Sequence, residues 1–186
     1  MAKTSKTGKK YVLTKNKKKV DGRILTQIQS LKDFVCDIHH FIKKGDLGGW
    51  IEKEENFSQE GNCWIDEDAI VYENAKVYGN AYVTKKSKVY GNAKVYGNAY
   101  VSEEAEIYEN ARVSGRAKIT KQARVYGNAK IYGSTEVYDE AEVFGYAVVR
   151  ECSSIYSKAK VYGNARISRY SEIYDKAEVY GRAIIG

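Results

Sequence analysis

The chain has 186 residues and a mass of 21.0 kDa, room for one domain with a small appendage but not for a large multidomain enzyme. Seventeen Tyr, sixteen Gly, one Met and no Pro, in a chain 43% hydrophobic and 30% charged, depart far from average usage and point to a repeated unit. No run approaches the roughly 18 apolar residues of a membrane span, and the polar, basic start has no apolar core of a secretion signal, so the expectation is a cytosolic chain without membrane contact.

The formal charge of +7 is uneven. Residues 1–19 hold eight Lys and no acid, leaving 23 basic against 24 acidic side chains beyond them. Residues 1–10 are therefore expected to form a flexible basic tail, solvated or able to hold polyphosphate by releasing counterions. Residues 11–64 read as a capping unit. Tyr11–Thr14 and Arg23–Gln29 are strand-like around Asp21-Gly22, a hairpin signal. A helix is expected next: Leu31, Phe34, Val35, Ile38 and Ile42 follow helical spacing, Ser30 and Asp33 fit a capping box, and Gly45 suits a stop. Trp50, Phe57 and Trp64 are expected to plug the apolar end of the repeat region beyond residue 64. Cys36, Cys63 and Cys152, odd in number and without a C-x-x-C pair, fit neither a disulfide framework nor a zinc site and read as reduced structural thiols.

From 65 to 186 an aliphatic residue recurs at every sixth position, from Ile65, Val71 and Val77 through to Ile185, with no insertion. Four residues after each stands a small one, from Ala69 and Ala75 to Ala183. Neither helix nor hairpin has this period; a parallel β-helix does, each hexad supplying a short strand and a turn. Gly-Asn pairs fall where the corner must bend and tolerate left-handed backbone angles. Charges give the number of hexads per coil, because like charges stacked about 4.8 Å apart repel. At eighteen-residue spacing Lys88, Glu106, Arg124, Glu142, Lys160 and Glu178 alternate in sign, as do Glu67, Lys85, Glu103, Lys121 and Asp139. Three hexads per coil make a triangular prism of nearly seven coils. The same spacing gives an aromatic ladder: Tyr72, Tyr90, Tyr108, Tyr126, Phe144, Tyr162 and Tyr180.

The V-Y-G-N-A-K units resemble the hexapeptide-repeat, left-handed β-helix superfamily, over about two thirds of the chain. The left hand is what the resemblance implies; periodicity yields only the triangle. The expected fold is thus all-β, a left-handed parallel β-helix with a small N-terminal α+β cap. Lys43 to Glu52, then Glu55-Asn56 and Glu60 to Ile65, also resemble the lead-in of an uncharacterised bacterial and phage group, labelled acyltransferases on fold alone.

Acyltransferases of this superfamily carry a catalytic His and a long loop leaving the coil. Here the histidines, His39 and His40, lie in the cap, adjacent and so about 100° apart on a helix, and the unbroken phase leaves no room for a loop. Ser and Thr at inward small positions read as substitutes for Ala with no base to activate them. Cys152, at a corner, reads as a structural thiol. Glu103-Glu104 and Asp139-Glu140 read as partners in cross-coil ion pairs. No catalytic residue, metal or cofactor is expected.

One surface breaks the alternation. Lys76, Lys94, Arg112, Lys130, Val148 and Arg166 stack at coil spacing, accompanied by Tyr78, Tyr96, Tyr132 and Arg150. Stacked like charges are relieved by an anionic partner, and interleaved aromatics suit bases or an acidic protein surface; solvent screening of idle charges is the plain alternative. The expected function is a non-enzymatic binding protein of phage or prophage origin that blocks a host protein or ribonucleoprotein, with counter-defence as an extension of that role and with nucleic-acid binding and acyl transfer as alternatives. A homo-oligomer is expected, with Ile184 and Ile185 at its interface.

Overall fold

A computed structural model describes residues 8–37 and 40–186 of the chain. From Trp64 onward each hexad forms one two-residue strand, and the strands fall on three parallel sheets. The first face includes Ile70–Val71 and ends at Glu178–Val179; the second runs from Lys76–Val77 to Ile184–Ile185; the third runs from Trp64–Ile65 to Glu172–Ile173. Each strand pairs in parallel with the strand eighteen residues on, as Lys88↔Glu106, Lys94↔Arg112 and Tyr100↔Lys118. The period therefore translates into coils as the charge ladders require.

In each strand the second residue, Val or Ile, points inward and the first faces solvent, except at the capped end, where Trp64, Ile70 and Tyr82 are buried. Val83, Val101, Ile119, Ile131 and Ile155 are fully buried, as are the corner residues Ala81, Ala117 and Ala141. Fully burying each aliphatic side chain is worth about 1.5–3 kcal/mol. Ser87, Thr135 and Ser153 replace Ala at the corner, and each hydroxyl donates to a turn carbonyl, Ser87 to Thr84 O at 2.7 Å. They are buried stand-ins for Ala, as expected.

The corners divide the work of the Gly-Asn pair. Gly takes the left-handed angle, φ +69° at Gly127, while Asn stacks with the Asn one coil on, as Asn80 Nδ2 donates to Asn98 Oδ1 at 3.1 Å. Lys85, Glu103, Lys121 and Asp139 occupy the Gly position with φ between 59° and 65°. Each such non-glycine corner costs on the order of 1–2 kcal/mol.

The solenoid starts one coil earlier than the hexads. Strand β5 (Leu47–Ile51) pairs in parallel with Ile70–Val71, and Phe57 bridges Val77. The first face thus carries eight coil strands. The step from Ile51 to Phe57 is six residues, but that from Phe57 to Ile65 is eight, which hides this coil from a six-residue reading. Gly48 belongs to the lead-in because a Cβ there would lie 2.5 Å from Ile65 O and 2.6 Å from Trp64 Cζ2.

The cap is a β structure with one short 3-10 turn (Glu54–Asn56), not an α+β unit. Strands β1 (Tyr11–Val20) and β2 (Arg23–Ser30) form the expected hairpin, turning through Asp21 (φ 49°) and Gly22 (φ 78°). β2 runs antiparallel to β5 and so extends the first face. The expected helix is instead a second hairpin, β3 (Phe34–Asp37) with β4 (His40–Ile42). Its side chains alternate: Phe34, Cys36 and Ile42 are buried while Val35 and Phe41 are exposed. Ser30 and Asp33 cap no helix; Asp33 Oδ1 accepts from Lys44 N at 2.7 Å, tying the hairpin ends. Ile38 and His39 lie outside the described residues.

Phe57 and Trp64 plug the prism together with Tyr11 and Phe34, with Phe57 tilted 37° against Tyr11 at 4.6 Å and edge-on to Trp64 at 6.0 Å. Trp50 does not: it faces outward beneath Lys18, whose Nζ lies 4.6 Å from the indole. Lys10, counted with the flexible tail, is fully buried. Its Nζ donates to Cys63 O at 3.0 Å and approaches Cys63 Sγ at 3.1 Å, between the rings of Phe34 and Phe57. Burial pulls the ammonium's pKa below the ordinary lysine value and pushes the Cys63 thiol up.

Candidate binding face

The outward residues of the second face are in strand register: Lys76, Lys94, Arg112, Lys130, Val148, Arg166 and then Ile184. Val148 and Ile184 break the charge; the others are exposed cations. Among the described residues none of these five cations has an ion-pair partner, whereas the first face pairs Lys88 with Glu106 at 3.2 Å and the third pairs Lys118 with Glu136 at 3.1 Å. Lys85–Glu103 and Lys121–Asp139 pair along a corner, as expected. The uncompensated stack is confined to one face.

Beside these cations, on the corner that ends the second face, stand Tyr78, Tyr96, Ser114, Tyr132, Arg150 and Ser168. Tyr78 and Tyr96 stack at 4.9 Å with planes 1° apart, and Tyr132 is exposed. Arg150 turns to Glu151, Nε to Oε1 at 3.6 Å, and so is less available than its neighbours. A depression of about 350 Å³ opens on this face against Tyr96, Arg112, Ser114, Lys130 and Tyr132. A second, of about 370 Å³, is lined by Glu67, Asp68, Lys85, Lys86, Glu103, Glu104 and Gln122, where the carboxylates outnumber the lysines. Of the two, the first alone offers net positive charge with aromatic walls.

The Tyr72 to Tyr180 ladder stacks at 4.8–5.3 Å. Four of its hydroxyls, those of Tyr72, Tyr90, Tyr126 and Tyr162, donate to carboxylates: Tyr126 to Glu142 at 2.8 Å and Tyr162 to Glu178 at 3.0 Å. Burial, joined by the Glu142 carboxylate, raises the Tyr126 phenol above its ordinary pKa. A further ladder, Tyr138, Tyr156 and Tyr174, stacks at 5.0 and 5.4 Å; the eighteen-residue spacing that exposed the first carries it too.

His40 packs on the Tyr82 ring at 4.3 Å in the cap. Cys36 and Cys63 are buried and Cys152 is exposed. Among the described residues no group of three His, Cys, Asp or Glu could hold a metal ion, and no helix is long and apolar enough to cross a membrane. Ile184 is exposed and Ile185 half-buried, with Tyr170, Tyr174 and Tyr180 exposed on the same last turn.

No protein-family model matches the chain. A stretch of 55 residues is 40% identical to the protein named "Uncharacterized acetyltransferase YdcK" from Escherichia coli (strain K12), covering 29% of this chain and 15% of that protein's length. This partial likeness and the stacked parallel coils fit a hexapeptide-repeat β-helix.

Proposed function

We propose that the chain is a non-enzymatic binding protein that lays its second face against an anionic surface of a macromolecule, a host protein or ribonucleoprotein if its origin is phage or prophage. The observation that carries this is the row of cations stacked in register without carboxylate partners among the described residues, on a molecule that pairs charges on the other faces. Stacked like charges raise the free energy of the isolated protein and lower that of a complex with an anion. Self-association through exposed Tyr170, Tyr174, Tyr180 and Ile184 belongs to the same proposal and is read by sedimentation velocity at micromolar concentration.

Reversing Lys94, Arg112 and Lys130 to Glu tests the face. Retention on a polyanion matrix and co-purification of a salt-sensitive partner from host lysate are expected to disappear while the thermal midpoint holds. The control is Lys118→Glu with Glu136→Lys, which swaps an ion pair flanked in register by uncharged Tyr100 and Ser154 and is expected to leave both readouts intact. Equal loss in both variants overturns the assignment.

Acyl transfer is the second reading, favoured by the name of the Escherichia coli relative. Turnover of acetyl-CoA with amine acceptors tests it, and turnover surviving purification to homogeneity would replace the binding proposal.

A further inference from the structure

Between Tyr78 and Tyr132 the corner beside the basic row carries a ring on every coil but one, before Arg150 and Ser168 end the aromatic run. Tyr78 and Tyr96 stack, Ser114 stands next where a ring is due, and Tyr132 resumes one coil later. In the two other corner ladders, Tyr72 to Tyr180 and Tyr138 to Tyr174, one aromatic ring per coil fills the spacing, with centroids 4.8 to 5.4 Å apart and planes within 15°. The rings of Tyr96 and Tyr132 belong to coils two steps apart, roughly 10 Å, so the gap between them has the thickness of one flat ring. The 350 Å³ depression lies there, with Arg112 and Lys130, register neighbours without anionic partners, on its wall.

We propose that this gap is a nucleotide slot: a base enters between Tyr96 and Tyr132 in the place of the missing ring, and its phosphate lies on Arg112 and Lys130. The ligand must be flat and aromatic to fill the gap, and anionic to answer the two cations. An aromatic side chain of a protein satisfies the first requirement alone and an acidic side chain the second alone. A nucleoside phosphate satisfies both within one unit, whether free or in a single strand. Stacking on two ring faces reads no base edge, so the slot is tolerant of sequence. The inference rests on the reading of the second face as a polyanion-binding surface and names the ligand it takes.

The test compares a single-stranded hexamer of adenylates with a hexamer of abasic deoxyribose phosphates of equal charge. The native protein is expected to bind the adenylate hexamer about tenfold tighter or more. Ser114→Tyr completes the ladder without altering the charge. It is expected to fold, to keep its affinity for the abasic hexamer and to lose the preference for bases, while Ser114→Ala keeps that preference. Tyr132→Ala opens the slot on one side and is expected to lose the preference too, so the inference stays testable if Ser114→Tyr misfolds.

A 2-aminopurine probe separates the two sources. Quenching of its free 5′-monophosphate shows that a nucleotide suffices; quenching only within a hexamer shows that the ligand is a strand. Equal affinity of the native protein for both hexamers, or a base preference that survives Ser114→Tyr, overturns the slot. Binding of the abasic hexamer, and its loss in the triple charge reversal, would still uphold the basic face, so failure of the slot and failure of the face are distinct results.

Discussion

Replacing Lys10 probes the capped end of the prism, where one lysine is buried among aromatic rings. Lys10→Ala removes the three stem carbons beyond Cβ together with the ammonium that lies between Phe34 and Phe57 and donates to Cys63 O at 3.0 Å. Deleting a buried stem of this length costs about 2–5 kcal/mol, and a buried carbonyl left without its donor adds about 1–3 kcal/mol. Against this stands the relief of a desolvated ammonium, several kcal/mol in an unrelaxed interior. Because Nζ is already engaged by backbone carbonyls, the losses are expected to prevail by about 2–4 kcal/mol, lowering the thermal midpoint by about 5–15 °C. Lys10→Met keeps most of the stem and should cost less. It also isolates the charge: burial lowers the native pKa, so between that value and the ordinary lysine value of 10.5 the unfolded chain binds more protons than the folded one. Stability contributed by Lys10 therefore rises with pH through that window. The urea midpoint of the native protein relative to that of Lys10→Met, which shares Cys63, should rise as pH approaches the ordinary lysine value of 10.5. A constant or shrinking difference, or a Lys10→Ala variant as stable as the native protein, would refute the reasoning.

Deleting residues 1–9 should leave the melting midpoint within a few degrees, since the one ion pair seen for Lys9 is an exposed contact with Glu54. Gly127→Ala should cost more than Gly181→Ala in a urea titration: both have left-handed φ, but at Gly127 a Cβ also meets Gly145 N at 2.7 Å, while at Gly181 it meets nothing within 4 Å. Lys121 holds the Asp139 carboxyl below its ordinary pKa, so the stability of that pair is present above the ordinary aspartate value and lost as pH falls through the lowered one. Carbon-detected NMR titration should show Asp139 moving back up in Lys121→Met.

The prism was legible because one residue type recurs at one position without a slip, and the alternating charges then left a single way to wrap it. The basic row and its tyrosines were legible for the same reason, being read at the coil spacing that the parallel register obeys. The first coil was not, since its aliphatics are Ile51 and Phe57 and the next step is eight residues. The second hairpin imitated a helix: Phe34 and Ile42 satisfy helical spacing, and the strand signal, Cys36 in and Val35 out, is too short to outvote it. Lys10 stood in a run of lysines, and only the aromatic cage of Phe34 and Phe57, distant in sequence, sets it apart. The missing ring at Ser114 was visible as a letter but acquired meaning only beside stacked neighbours.

The eight-residue step before Ile65 shows that the winding counts backbone pairings and not residues. Two surplus residues at that corner leave Trp64–Ile65 in register with Tyr82–Val83, so the surplus is absorbed without passing along the chain. Corners are thus length-insensitive joints between rigid, indexed bars. A peptide grafted at one of them would project from the edge while the tyrosine and amide stacks above and below stayed aligned, whereas a single residue inserted within a strand would turn its valine to solvent. The molecule is in this sense a ruler with removable spacers, on which side chains can be set at multiples of one coil height.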